Sequence, residues 1–252
     1  MNQENSSRFV DMAECYHRVA PFAVPHYDWL QENAIRLMQN SQTNGFLVDL
    51  GGGSGRFMHK YLTAFPTARG CIVDSSPAFL AIAERYLSGF AERVSFVHTS
   101  IEDNWEEQIG EAPSAIFSMS CIHHLLSEEK RMIYRKSAGL LQPGGWLINV
   151  DEMVGCSPET YPRHLESWWQ YALDMEARIA PELQQEYQQF MKHFRKWKQR
   201  NIDGLNQPKT KGDDLHEPVI AQLDMLRDAG LEEVDVYFGY RLWHAIAGCK
   251  SA

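Results

Sequence analysis

The sequence is short of several features that would have decided its class at once. Its five cysteines (15, 71, 121, 156 and 249) are odd in number and contain no Cys-x-x-Cys pair. Neither a disulfide framework nor a thiolate zinc site is written into that spacing, and free thiols in a reducing cytoplasm are expected, with no metal. No apolar run approaches the roughly 18–20 residues that would span a bilayer. The opening Met-Asn-Gln-Glu-Asn-Ser-Ser-Arg has no charged segment leading into an apolar core, so no secretory signal is visible. Basic residues are also in deficit: 24 Lys and Arg face 33 Asp and Glu, a net charge of −9. That balance argues against broad electrostatic capture of nucleic acid or an anionic membrane. Internal repeats and low-complexity segments are lacking too.

What is present is a chain of 252 residues with an ordinary apolar fraction and seven tryptophans. The length suits one large domain or one domain with a substantial insertion. The informative stretch is Phe46-Leu-Val-Asp-Leu-Gly-Gly-Gly-Ser-Gly55, followed by Arg56 to Leu62 at helical spacing. It reads as a buried strand, a tight turn and a helix N-terminus in succession. The glycines permit unusual dihedrals and close approach of a ligand to the main chain. The unpaired amides opening the helix can receive an anionic group.

On either side the pattern is regular. Residues 1–45 read as helical, with Phe9, Met12, Ala13 and Tyr16 on one face, interruptions at Ala20-Pro21 and Val24-Pro25, and a second helix over His26 to Gln39. The aromatic cluster of Tyr16, Phe22, Tyr27 and Trp29 is either a lid over a ligand or packing against the sheet. Further strands are expected at Gly70–Val73 (ending at Asp74), Val94–His98, Ala115–Met119 and Trp146–Val150 (ending at Asp151-Glu152), with helices between them. Such alternation predicts an α/β fold with a doubly wound parallel sheet. In that architecture ligands bind beyond the C-terminal strand ends. The alternation then breaks into a helical tract over 156–207, with Pro181 opening its second helix. A helix over His216 to Asp228 follows, then two strands, Val234–Phe238 and Arg241–Ala247, joined by a turn at Gly239-Tyr240. The expected organisation is thus 1–45 as an N-terminal helical lid, 46–155 as the binding core, 156–207 as a helical insertion, and 208–252 as a helix and hairpin completing the core.

The spacing of the glycines separates two nucleotide-site readings. A dinucleotide fold wants G-x-G-x-x-G, but counting from Gly51 the sixth position is Arg56, which disfavours an NAD-dependent oxidoreductase. Asp49-x-Gly51-x-Gly53-x-Gly55, Asp74 closing the second strand, Ser118-Met-Ser-Cys-Ile-His-His-Leu125 and Leu140-Leu-Gln-Pro-Gly-Gly145 occur in order at successive strand ends. Together they resemble the class I S-adenosylmethionine-dependent methyltransferases. Val24-Pro-His-Tyr27 and the strand-four histidines narrow the likeness to a bacterial branch that includes carboxy-S-adenosylmethionine synthases.

The resemblance implies a Rossmann-like seven-stranded sheet with an antiparallel last strand. It implies S-adenosyl-L-methionine as cofactor and S-adenosyl-L-homocysteine as product. Gly51, Gly52, Gly53 and Gly55 would lie along the methionine portion and Asp49 would meet its ammonium. Asp74, with Ser75 beside it, would accept the ribose hydroxyls. Ser100 stands where the family usually has an acid for the adenine, with Ile101 packing on the ring, and Ser118 matches a ligand-contacting position. Tyr16 and Tyr27 would close over the cofactor. His123 or His124 could serve as a general base, since imidazole titrates near neutrality. Structural hydrogen bonding is the other reading of the same pair. Asp151 or Glu152 could face the substrate.

Within the insertion, Trp168, Trp169, Tyr171, Phe194 and Trp197 could line an apolar substrate pocket, or pack between lid helices. The basic run Lys192, Arg195, Lys196, Lys198 and Arg200 could bind RNA or an anionic substrate, but a solvated helix face is the favoured reading. Cys15, Cys121 and Cys156 come from segments that could converge on the pocket, which would suit thiol or metalloid methylation. The expected function is methyl transfer to an oxygen or nitrogen of a small molecule, in a setting such as secondary metabolism. Carboxy-S-adenosylmethionine synthesis or tRNA modification on the same fold, and a non-catalytic cofactor-binding module, are the alternatives. The expected partner is a small molecule, not nucleic acid or a membrane, with a homodimer as the candidate assembly.

Overall fold

The computed structural model describes residues 13–41 and 44–252. Phe9 and Met12, expected on the first apolar helix face, lie outside the described residues. Helix α1 (Ala13–Ala23) runs through the interruption expected at Ala20-Pro21, with Pro21 inside it. A proline there removes the amide that would bond the carbonyl four residues earlier. Arg56 Nη1 donates to that His17 carbonyl instead, at 3.0 Å. The chain does turn at Val24-Pro25, where His26 takes a left-handed φ of 58° before α2 (Tyr27–Asn40).

The core then follows the expected alternation closely: β1 (Phe46–Leu50), α3 (Arg56–Ala64), β2 (Arg69–Asp74), α4 (Pro77–Tyr86), β3 (Val94–His98), β4 (Ala115–Met119), α5 (Ser127–Leu140) and β5 (Trp146–Glu152). Strand β5 carries on through Asp151 and Glu152, two residues beyond the predicted end. The insertion forms α6 (Tyr161–Glu176), a short turn at Pro181, α7 (Gln184–Lys198) and a π-helical turn over Gln199–Asp203. Helix α8 (Val219–Asp228), β6 (Glu232–Tyr240) and β7 (Trp243–Cys249) complete the chain. No helix among the described residues is long and apolar enough to cross a membrane.

The sheet order is β3-β2-β1-β4-β5-β7-β6, with β7 antiparallel to both of its neighbours and the other pairings parallel. Both faces are covered. Successive strand residues point to opposite faces: Leu47 joins the core beneath α1–α3 and the insertion, and Val48 joins the core beneath α5 and α8. Order reverses between β1 and β4, so the crevice for a ligand opens at their C-terminal ends.

Two expected boundaries move. Helix α8 starts at Val219, not His216. Pro218 biases Glu217 away from helical dihedrals, and Val154 bridges to Pro218 as a short extended pairing. The last hairpin turns at Arg241-Leu242, not Gly239-Tyr240, which pair with His244 and Trp243. Arg241 takes the left-handed φ of 55° there. A non-glycine residue in that conformation is uncommon, so composition pointed to the wrong dipeptide.

The insertion is fastened to the core by aromatic packing. Trp168 on α6 meets Trp243 on β7 edge to face at 4.5 Å and donates its Nε1 to the Ala23 carbonyl at 2.9 Å. Across the sheet, buried Tyr134 donates to Gln222 Oε1 at 2.5 Å and accepts from Asn149 Nδ2 at 3.0 Å, linking α5, α8 and β5. Replacing Tyr134 by Phe leaves both partners buried without it, at a cost of about 1–3 kcal/mol. Urea unfolding should show that loss with an unchanged m-value.

Candidate active site

A cavity of about 580 Å³ opens at the predicted rim, between the ends of β1, β2, β4 and β5 and the helices of the insertion. Its size suits a small-molecule site. It has two unlike halves.

The first half is built on the glycine turn. Gly51 (φ 67°) and Gly53 (φ 54°) both lie in the left-handed region. A Cβ on Gly51 would fall 2.2 Å from Cys121 Sγ, so the loops after β1 and β4 approach each other only because that Cβ is missing. A Cβ on Gly53 would meet nothing nearer than 3.8 Å, so there the conformation alone calls for glycine. Asp74 ties this turn to β2: its Oδ2 accepts from the Gly53 amide at 2.9 Å and its Oδ1 from the Ser76 amide at 2.8 Å. Ser76 caps α4 through the Phe79 amide at 3.4 Å. Asp49 is 1% exposed, and its Oδ2 finds no hydrogen-bond partner. Burial, and secondarily the Asp74 charge, pushes its carboxyl up to about 8. Phe79 and Ile101 face this half, and Ser100 donates to Glu102 Oε2 at 2.7 Å.

The second half holds the titratable cluster. His123 and His124 follow β4 in a single helical turn, and both line the cavity. Asp151 does not line it. It lies fully buried behind His123, accepting from the His123 amide at 2.9 Å and pairing with its Nδ1 at 2.6 Å. Glu152, one residue on and so on the opposite face of β5, lines the cavity. Burial opposes a charge on His123, but the carboxylates of Asp151, Glu152 and Asp214 overcome it and raise the imidazole to about 9. His124 goes the other way, to about 3, because burial and the neighbouring His123 charge outweigh Asp214. The pair is one charged ring beside one neutral ring.

Asp214 comes from the loop before α8. It accepts from Asn201 Nδ2 at 2.6 Å and approaches His124 Nδ1 at 3.4 Å and His123 Nε2 at 3.6 Å. Leu215 donates its amide to the His123 carbonyl at 2.7 Å, which docks this loop on the β4 turn.

The predicted residues separate accordingly. Tyr16, Tyr27, Asp49, Gly51, Gly52, Gly53, Asp74, Ser75, Ser100 and Ile101 line the cavity. Gly55 and Ser118 do not: a Cβ on Gly55 would strike Leu87 at 2.8 Å, and Ser118 Oγ donates to the Leu50 carbonyl at 2.9 Å. Their positions serve packing and strand pairing. Trp168, Phe194 and Trp197 line the apolar wall with Phe190. Trp169 does not: it stacks on Phe194 from outside and lies under Lys198. Tyr171 is also away from the cavity, as are Phe22 and Trp29. The basic run divides, with Arg195 and Lys198 in surface ion pairs and Lys196 and Arg200 at the cavity. Of the three cysteines expected to converge, Cys121 alone lines the cavity, Cys15 being buried elsewhere and Cys156 exposed. Asp214 and His216 were missed. They lie in a loop with no motif, and folding alone brings them to the histidines.

Residues 48–147 match the model of the family described as a methyltransferase domain. Among curated proteins, the reducing polyketide synthase Preu2 of Preussia isomera is 25% identical over 141 residues, which are 55% of this chain and 6% of that one. Two solved structures share the fold. One is an O-methyltransferase family protein from Burkholderia thailandensis, with TM-score 0.56 and 20% identity, matched over 89% of this chain and 59% of that one. The other is PigF with S-adenosylhomocysteine, with TM-score 0.60 and 17% identity, matched over 99% and 60%. The chain thus spans about three-fifths of these structures and a small part of the synthase. The matches support the methyltransferase family and do not extend to the carboxylated-cofactor synthase branch.

The raised Asp49 carboxyl has a stability consequence. An acid lifted from its ordinary 3.8 to about 8 in the folded chain favours folding while protonated and loses that contribution as pH rises between those values. Asp49→Asn has no proton to lose, so its stability relative to the parent should grow from pH 5 to pH 8. Urea unfolding of the ligand-free protein at the two values checks the sign.

Proposed function

We propose, on the premise that residues 48–147 belong to the class I S-adenosylmethionine-dependent methyltransferase family, that the chain transfers a methyl group to an oxygen or nitrogen of a small molecule under a helical cover. The observation that carries the reading is one continuous cavity whose glycine-and-carboxylate half adjoins an aromatic half containing a neutral imidazole. A cofactor with an ammonium and a ribose fits the first half. The Asp49 oxygen without a partner suits the ammonium, and Asp74 keeps lone pairs beyond those taken by Gly53 and Ser76. Phe79 and Ile101 would flank the adenine, and Ser100 with Glu102 would reach its edge. When bound, the cofactor supplies an electrophilic methyl on a sulfonium.

The chain's own residues supply position and a dry site. Helices from 1–45 and 156–207 act as the cover, with Trp168, Phe190, Phe194 and Trp197 excluding water from the acceptor. Holding an acceptor at attacking distance supplies most of what such a transfer needs. His124, uncharged, orients the acceptor by a hydrogen bond, and its weakly basic ring takes the proton only once the methyl has added to the acceptor. Asp151 is a positioning residue that fixes the His123 ring. The match to a segment of a polyketide synthase supports secondary metabolism as the setting.

S-adenosylhomocysteine should raise the melting temperature of the purified protein and NAD should not, by mass action on the folded state. Asp74→Ala should weaken S-adenosylhomocysteine binding by about 1–3 kcal/mol in calorimetric titration. Unchanged affinity in a folded variant would sink the ribose assignment. Turnover of labelled cofactor with a panel of phenols and amines tests the reaction. His124→Ala should lower kcat by about 10-fold, the scale of one lost orienting hydrogen bond, with S-adenosylhomocysteine affinity retained. A silent binding module would give no turnover with any acceptor.

A further inference from the structure

Among the described residues, two overlapping sets of donor atoms share one region at the cavity wall. His123, Glu152 and His216 present atoms within 4.8 Å of one another, and so do His123, His124 and Asp214. We propose that this wall binds a divalent transition-metal ion through His123, Glu152 and His216, with Asp214 at its edge.

The rings are oriented as ligand rings are. His123 engages Asp151 through Nδ1 at 2.6 Å, which leaves Nε2 on the side of Asp214. His216, its side chain fully buried, pairs with the Tyr161 hydroxyl through Nδ1 at 2.6 Å and presents Nε2 to Glu152 Oε2 at 2.9 Å. A carboxylate or hydroxyl on the second ring nitrogen sets tautomer and direction for a metal-bound histidine. The spacing suits a shared ion. Ligands about 2.1 Å from one ion stand roughly 3.0–3.4 Å apart; His216 Nε2 and Glu152 Oε2 are 2.9 Å apart, and His123 completes the set within 4.8 Å.

Charge points the same way. Asp151, Glu152 and Asp214 are buried together. The nearby lysines are engaged elsewhere: Lys130 with Glu217 and the Leu215 carbonyl, Lys209 with Asn201 Oδ1 and the Asp214 carbonyl. A dication would take the place of the proton on His123, which leaves to solvent, and would offset Glu152 and Asp214 directly. Two imidazoles with carboxylates select a borderline ion such as Zn²⁺, Co²⁺, Fe²⁺ or Mn²⁺ over Ca²⁺ or Mg²⁺. The absence of a metal expected from the scattered cysteines does not bear on these donors, which come from the β4 turn, the end of β5 and the loop before α8.

His123, Glu152 and Asp214 line the cavity, so the ion would keep a face toward the acceptor half. Resting on the methyltransferase reading, that face selects acceptors with two adjacent oxygen donors, a hydroxyl beside a carbonyl being the simplest class.

Co²⁺ is a suitable probe. Titrated into the untagged, metal-stripped protein, it should bind at one ion per chain, give visible d–d absorption and be displaced by Zn²⁺. His216→Ala should lower its affinity by at least about 100-fold, and Tyr161→Phe, which keeps the ring and removes only the hydroxyl, by about 10–100-fold. If His216→Ala does not fold, Glu152→Gln and Tyr161→Phe decide. Absence of saturable Co²⁺ binding, or binding undiminished in the folded variants, overturns the site. S-adenosylhomocysteine affinity is measured alongside. Its absence would count against the methyltransferase reading and leave the metal result standing, and the converse holds equally.

Discussion

A parallel sheet brings the C-terminal end of each strand to one rim, and here three strands deliver buried carboxylates to it. Asp49 lies on β1, Asp74 ends β2, and Asp151 and Glu152 end β5; none is more than 8% exposed. Burying an ionised carboxylate is costly unless hydrogen bonds or opposite charge compensate it. The architecture of the site follows from how each is compensated. Asp74 takes two backbone amides and thereby holds the glycine turn against the α4 turn. Asp151 takes the amide and ring of His123 and thereby holds the β4 turn against β5. Glu152 meets His216, which docks the loop before α8. Asp49 is raised to about 8 and keeps an oxygen unpaired, and it faces the cavity.

The two halves of the cavity therefore differ in kind. The β1–β2 half is made of main-chain geometry and acceptors at neighbouring strand ends, tied together by Asp74. The β4–β5 half is made of side chains from distant segments, closed over by aromatic helices that are pinned to β7 through Trp168 and Trp243. One half is suited to a fixed ligand with an ammonium and hydroxyls, the other to a variable acceptor. The π-helical turn at the end of α7 places Arg200 at the cavity while its buried neighbour Asn201 holds Asp214.

Much of this was legible in the linear chain. The five parallel strands, the helices that follow β1, β2 and β4, and the antiparallel ending follow from apolar runs and glycine–proline punctuation, which are local properties. So does the first half of the site, because its residues lie within a few positions of strand ends. The misplaced features are equally physical. Pro21 reads as a helix break, but Arg56, 35 positions away, supplies the hydrogen bond the proline cannot. Gly239-Tyr240 reads as a turn, but pairing with β7 moves the turn to a left-handed Arg241. Ser118 reads as a ligand contact, but the neighbouring strand's carbonyl claims its hydroxyl.

By itself the sequence determined the strand–helix order, the glycine turn and the acidic strand ends, because each depends on residues adjacent along the chain. Which of two neighbouring acids faces the cavity, which tryptophans line it, and which histidines share a wall with Asp214 were decided only by tertiary structure. Those outcomes depend on strand facing, helix rotation and loop docking, and each is fixed by contacts between residues tens of positions apart.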